Sequence, residues 1–87
     1  MDPRVKKAVL SKIGEAVEAA DEIKAIQGAI PSASLPDLAL GIAVGRIYNS
    51  FHYQTRRILG RNATEQEFEE FLELLSDNIA AIRRSCQ

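Results

Sequence analysis

The stretch SLPDLALGIAVGRIYNSFHYQTRRILG, residues 34–60, separates an all-helical chain from one that contains a buried strand. Its part LALGIAVG, residues 38–45, is apolar enough for a strand, but no pair of turn residues interrupts the chain from Pro36 to Gly60. Apolar positions continue at helical steps of three and four through Leu40, Val44, Ile47, Phe51, Thr55 and Ile58. We therefore predict a helix over residues 35–59.

Capping residues mark where this helix and the next one begin. Ser34 is followed three residues later by Asp37, which is the spacing of a capping box with Asp in place of Glu. Thr64 and Glu67 form the strict version of the same box. They predict another helix over residues 64–84.

An earlier helix is predicted over residues 3–28. Asp2 is a good N-cap, and Pro3 suits the first helical position because a proline lacks the N–H that would be unpaired there. Apolar residues at steps of three and four follow at Val5, Val9, Ile13, Ala16, Ala20, Ile23, Ile26 and Ile30. Gly28 and Pro31 end this helix.

The third predicted helix carries a narrow apolar seam. Its members repeat by four and three and are Phe68, Leu72, Leu75, Ile79, Ile82 and Cys86. Phe71 and Leu74 widen the seam toward a second face. The connections at residues 29–34 and 60–63 are short, so neighbouring helices must be antiparallel. We predict an all-α fold, an up-down-up three-helix antiparallel bundle in a single domain of 87 residues.

The distribution of charge agrees with that topology. An up-down-up bundle places the basic end of the second helix, Arg56, Arg57 and Arg61, beside the acidic segment from Glu65 to Glu73. It also places a second set of opposite charges side by side, namely Glu15, Glu18, Asp21 and Glu22 against Arg83 and Arg84.

Gly41 and Gly45 lie four residues apart on one face of the second helix, and each costs about 1 kcal/mol relative to alanine. One interpretation is close packing within the chain, against alanines of the first helix (Ala16, Ala19 and Ala20). The other is an interface between chains, because two neighbours do not cover a helix that is apolar all round. We expect self-association into a helical dimer, with packing residues Gly41, Gly45, Phe71 and Leu74.

Polar side chains crowd together in GRIYNSFHYQTRRILGR, residues 45–61. Guanidinium groups bind phosphate or carboxylate, and a tyrosine stacks or donates a hydrogen bond. The candidate partner- or nucleic-acid-binding residues are therefore Arg46, Asn49, His52, Tyr53, Arg56, Arg57 and Arg61. The alternative is a solvated outer face.

Arg46, His52 and the tyrosine directly after it resemble the Arg–spacer–His signature of HEPN-type helical ribonucleases. The resemblance covers residues 46–53 and implies a small ribonuclease that uses Arg46, His52 and Tyr53.

Composition limits the other chemistries. One cysteine and one histidine exclude an internal disulfide and a protein-built zinc site, and we expect no metal or cofactor. The chain lacks a signal-peptide pattern and an apolar run of roughly 20 residues, so we expect a cytoplasmic protein without membrane contact. The net charge of −1 disfavours non-specific nucleic-acid binding.

No catalytic set surrounds His52, so the first hypothesis is a non-enzymatic interaction subunit. It self-associates and docks on a larger protein complex. The alternative is a nucleic-acid-binding accessory protein that uses the basic face of the second helix, and the second alternative is the HEPN-like ribonuclease.

Overall fold

The computed structural model describes residues 1–30 and 37–87, and within them every regular element is an α-helix. The helices are α1 (Pro3–Glu18), α2 (Ala20–Gly28), α3 (Leu38–Leu59) and α4 (Glu65–Ser85). The predicted all-helical class is confirmed. LALGIAVG forms the first turns of α3, so it is helical rather than a strand.

The first predicted helix is wrong in one respect, because it is divided at Ala19. This residue has φ −88° and ψ 15°, although it keeps backbone hydrogen bonds on both sides. Ile23 is buried beyond the break, whereas Ile26 and Ile30 are 47% and 41% exposed. Alanine is the strongest helix former, so the helix propensity of this residue does not explain the break. The predicted apolar stripe is correct only as far as Ile23.

The helix α3 begins at Leu38, later than the predicted start at residue 35. Asp37 precedes the helix instead of occupying its third position, and its carboxylate makes no capping hydrogen bond. That carboxylate is used elsewhere, since it pairs with the Nη1 atom of Arg83 at 2.9 Å. The predicted cap Ser34 and the predicted stop Pro31 lie outside the described residues.

The other predicted helix ends are confirmed. An Asp2 carboxylate oxygen accepts a hydrogen bond from the Arg4 N–H at 2.8 Å. Thr64 and Glu67 form the full capping box, in which each side chain accepts from the other residue's N–H. Gly60 ends α3 with φ 68°, a left-handed conformation that a residue with a side chain rarely adopts.

The core is formed chiefly where α1 packs between α3 and α4. Its buried members are Val5, Val9, Ile13, Ala16, Ile23, Ala39, Ala43, Ile47, Phe51, Phe71 and Ile82. The Phe51 and Phe71 rings stack with centroids 4.5 Å apart. On α3 the small residues Ala39 and Ala43 are buried, while the predicted core residues Leu40 and Val44 are only half-buried. The packed face of α3 is therefore rotated toward its alanines.

The ends of α4 contact other parts of the chain. Met1 and Lys6 line a groove with Glu70 near the start of α4. At the other end, Arg83 pairs with Asp37, ahead of α3. The predicted pairing of Arg83 and Arg84 with the acidic residues of the first helix does not appear among the ion pairs of residues 1–30 and 37–87.

Candidate functional site

A groove between α1 and α3 gathers several of the predicted site residues. Its volume is about 260 Å³, and its lining residues are Lys12, Arg46, Asn49, Ser50, Tyr53 and Gln54. Five of them belong to α3, where steps of three and four place side chains on one face. The predicted grouping of Arg46, Asn49 and Tyr53 on one face is thus found in the structure.

Lys12 and Gln54 also line this groove. Lys12 comes from α1, and its Nζ atom lies 2.7 Å from an Oε2 atom of Glu15. Gln54 borders the buried face of α3 and accepts a hydrogen bond from the Arg57 Nε–H at 2.9 Å. The spacing of polar residues along α3 carries no signal for Lys12, whose contribution depends on where α1 crosses, whereas Gln54 follows Ser50 by four residues on the same helix face.

The remaining arginines of the predicted face are used differently. Arg61 binds both carboxylate oxygens of Glu67, at 2.7 and 3.3 Å, so its charge is neutralised. Arg57 is exposed and donates a hydrogen bond to the side chain of Gln54. Arg56 is exposed and makes no ion pair within the described part of the chain. The predicted contact between the basic end of this helix and the acidic start of α4 is found at Arg61 alone.

The Arg61 fork and the Thr64 hydrogen bonds hold the pKa of Glu67 at about 2, well below its ordinary value of 4.5. The side chain of Glu67 is only 13% exposed, so its ion pair and hydrogen bonds contribute to the stability of the fold. Because the folded pKa is the lower one, this interaction stabilises the fold fully above about pH 4.5. Its contribution is lost as the pH falls from about 4.5 to about 2.

We expect the Glu67→Gln variant to be less stable than the unmodified chain at pH 7 and to lose less stability on acidification. Urea unfolding at several pH values between 7 and 2 measures both effects. Glu69→Gln is the matched control, because Glu69 is exposed and makes no ion pair in the described residues. Equal acid dependence in Glu67→Gln and the unmodified chain would contradict this assignment.

His52 lies on a different side of α3 from the groove. Its ring is 4.8 Å from that of Tyr48 and 5.0 Å from that of Phe51, measured between centroids, and it does not line the groove with Arg46. Within one chain, the structure therefore does not bring Arg46 and His52 into one pocket. Tyr53 lines the same groove as Arg46. The three residues of the ribonuclease hypothesis are therefore divided between two faces of α3.

A second face of α3 contains the two glycines, because Gly41, Gly45 and Tyr48 are spaced by four and three residues along the helix. We call it the α3–α4 surface and define it by six residues: Gly41, Gly45, Tyr48, Leu72, Leu75 and Ile79. Tyr48 reaches α4, since its ring centroid is 6.4 Å from that of Phe68. Tyr48 and Leu72 are 46% and 45% exposed.

Among the described residues, no other part of the chain packs closely on the two glycines of this surface. A methyl group added at Gly41 or Gly45 would meet no other described atom within 4 Å. The interpretation that they permit close packing within the chain, against the alanines of the first helix, is therefore wrong. The small residues of α3 that are buried in the core are instead Ala39 and Ala43.

Two other residues predicted for oligomer packing lie elsewhere. Phe71 is 1% exposed and belongs to the core, so Leu72 takes its place on the exposed side of α4. Leu74 is half-buried and lines a groove of about 240 Å³ on the opposite side of α4, together with Met1, Lys6, Glu70, Glu73 and Asp77.

In the part of the chain that is described, no group of three or more His, Cys, Asp or Glu side chains is placed to hold a metal ion. None of the helices α1 to α4 combines the length and apolar composition that crossing a bilayer requires.

Comparison of the chain with protein-family models, with curated proteins and with solved structures finds no match. Function is therefore inferred from the groove and from the α3–α4 surface.

Proposed function

We propose that this protein is a small, non-enzymatic helical interaction subunit that self-associates through its α3–α4 surface. The partner on that surface is a second copy of the chain. The observation that carries the proposal is the open space over Gly41 and Gly45, next to the half-exposed side chains of Tyr48 and Leu72. Exposed apolar residues beside a smooth helix face favour contact with another helix.

The spacing of large and small residues on α3 is self-complementary. If two copies of α3 cross antiparallel near Gly45, Tyr48 of each copy lies over Gly41 of the other, because the two positions are almost equidistant from Gly45. In a two-fold symmetric dimer both chains contribute the same surface, so that surface must be self-complementary. The open space over Gly41 is available for the partner's ring.

The size of the exposed surface also supports a dimer. The chain exposes 5525 Å², against about 5,100 Å² for a compact monomer of its mass. Its radius of gyration is 13.7 Å, against about 12 Å for a compact domain of this length. Its extents are 40 × 21 × 20 Å, so the chain is elongated and exposes a long side.

The up-down-up arrangement is part of the same proposal. The groove at Lys6 and Glu70 and the hydrogen bond from Lys24 to the Gln87 carbonyl support a parallel course of α1, α2 and α4. The pair between Asp37 and Arg83 supports an antiparallel course of α3 and α4. That arrangement leaves one side of the α3–α4 pair for the second copy.

We expect the Gly45→Arg variant to remain folded but to be monomeric. Within one chain the arginine has open space, and its higher helix propensity adds about 1 kcal/mol of stability. In the dimer, two arginines would meet near the two-fold axis with like charge and too much volume. Sedimentation velocity gives the oligomeric state, and thermal unfolding gives the stability.

Gly14→Arg is the matched control. Gly14 is an exposed helical glycine of α1 with equally open space, and it lies outside the α3–α4 surface. We expect this variant to match the unmodified chain in mass. Loss of the dimer in both variants, or in neither, would refute the proposed interface.

Docking of the dimer on a larger protein complex stays a prediction. The same holds for the nucleic-acid-binding accessory role and for the HEPN-like ribonuclease.

A further inference from the structure

The groove between α1 and α3 has the composition of a binding site and is separate from the proposed dimer surface. Tyr48 lies near Phe68 of α4 and shares a helical face with Gly41 and Gly45, whereas the groove faces Lys12 of α1. A ligand in the groove therefore does not compete with a second copy of the chain, and the inference below is independent of self-association.

Several groups of the groove have hydrogen-bonding capacity that the chain itself leaves unused. The Arg46 guanidinium makes no ion pair or hydrogen bond within residues 1–30 and 37–87. Ser50 is only 7% exposed, yet its hydroxyl also makes no hydrogen bond in that part of the chain. The hydroxyl oxygen of Ser50 is not among the fully buried polar atoms without a partner, so it is accessible from the groove and can donate to a ligand acceptor there.

Two further lining residues, Gln54 and Lys12, also keep donors that are not used within the described part of the chain. The carbonyl oxygen of Gln54 is occupied by Arg57, which leaves the Gln54 amide nitrogen as a donor. Lys12 holds Glu15 with one N–H and retains two more. The pKa of Glu15 is lowered, first by its hydrogen bond from Lys12 and further by the charge of Arg46. Lys12 and Arg46 place two cationic groups against this one carboxylate at the edge of the groove.

The groove offers hydrogen-bond donors and two cationic side chains. It therefore favours an anionic ligand that has several acceptor oxygens. A phosphate group fits because it accepts the guanidinium fork and further hydrogen bonds at the same time. Tyr53, at the other end of the groove, is 55% exposed, so one face of its ring is open to a planar group. Bases stack on such exposed aromatic rings in single-stranded nucleic-acid sites.

We propose that this groove binds a nucleotide, with its phosphate held by Arg46, Ser50 and Lys12 and its base stacked on Tyr53. Arg46 and Tyr53 are seven residues apart on α3, which is about 10 Å along the helix axis. The phosphate, ribose and base of one nucleotide span that length. The source of the nucleotide is either a free mononucleotide or one unit of a single strand.

The test is a titration of the ¹⁵N-labelled full chain, followed by amide chemical shifts. The probes are adenosine monophosphate, inorganic phosphate and a short single-stranded oligoadenylate. We expect adenosine monophosphate to shift amides around Lys12 and between Arg46 and Gln54, and to bind more tightly than inorganic phosphate. Arg46→Gln should raise the Kd for adenosine monophosphate about tenfold, because a charge-assisted hydrogen bond is lost.

Arg84→Gln is the control for charge, because Arg84 is exposed on α4 and far along the chain from the groove. It should leave that Kd unchanged. Tighter binding of the oligoadenylate, with a steep dependence on salt, would identify a single strand as the source, and equal binding would identify the free nucleotide. Absence of shifts at the groove with every probe would overturn the proposal. An equal rise in Kd from Arg46→Gln and Arg84→Gln would overturn it as well.

Discussion

The Phe51→Ala variant is expected to lose about 3–5 kcal/mol of unfolding free energy. Phe51 is fully buried, and its ring stacks on Phe71 with an interplanar angle of 10°. The substitution removes that aromatic contact and leaves a cavity between α3 and α4. A domain of this length is stabilised by about 4–13 kcal/mol in total, so the loss is a large fraction of its stability.

Urea unfolding followed by circular dichroism measures this loss. Leu10→Ala serves as the control, because Leu10 is an α1 residue that is 41% exposed and its truncation should cost much less. Phe51→Leu gives an intermediate variant if Phe51→Ala does not fold. A cost for Phe51→Leu no larger than that for Leu10→Ala would contradict the position of Phe51 in the core.

The Ala43→Leu variant is expected to lose about 1–3 kcal/mol. Ala43 is fully buried on the face of α3 that packs toward α1. A leucine there forces the two helices apart or adopts a strained rotamer, because the core has no room for three more carbon atoms. The result would separate the observed packing from the alternative in which Leu40 and Val44 face the core.

Ala80→Leu is the matched control for this variant, since Ala80 is an exposed alanine of α4. The same change there adds a side chain to the surface and should alter stability only slightly. Thermal or urea unfolding of both variants makes the comparison. Equal stability of Ala43→Leu and Ala80→Leu would mean that α1 does not approach α3 at its alanines.

The helix ends were predictable because capping depends on a few neighbouring residues. Asp2, Thr64 with Glu67, and Gly60 each satisfy or terminate backbone hydrogen bonds locally, so their residue types are sufficient evidence. Asp37 had the same local signal and was assigned wrongly. Its carboxylate pairs with Arg83, a residue distant in sequence, and local spacing carries no information on that contact.

The break at Ala19 and the rotation of α3 were not predictable from periodicity. The segment 38–45 alternates large and small apolar residues, so several helix faces fit the pattern equally well. Close approach of α1 selects the face with Ala39 and Ala43, and this selection turns both glycines outward. Tertiary packing makes that choice, which a single sequence does not reveal.

The candidate site was predicted in part for the same reason. Arg46, Asn49 and Tyr53 share a face by their spacing along one helix, which is a local property. His52 had been grouped with them but lies beside Tyr48 and Phe51. The contribution of Lys12 comes from a different helix and required the fold.

The most direct measurement of the central proposal is the molar mass of the unmodified chain by sedimentation equilibrium, over concentrations from low micromolar upward. Self-association through the α3–α4 surface predicts twice the 9.6 kDa mass of one chain, with conversion to monomer only on dilution. A mass of 9.6 kDa at every concentration would contradict the proposal.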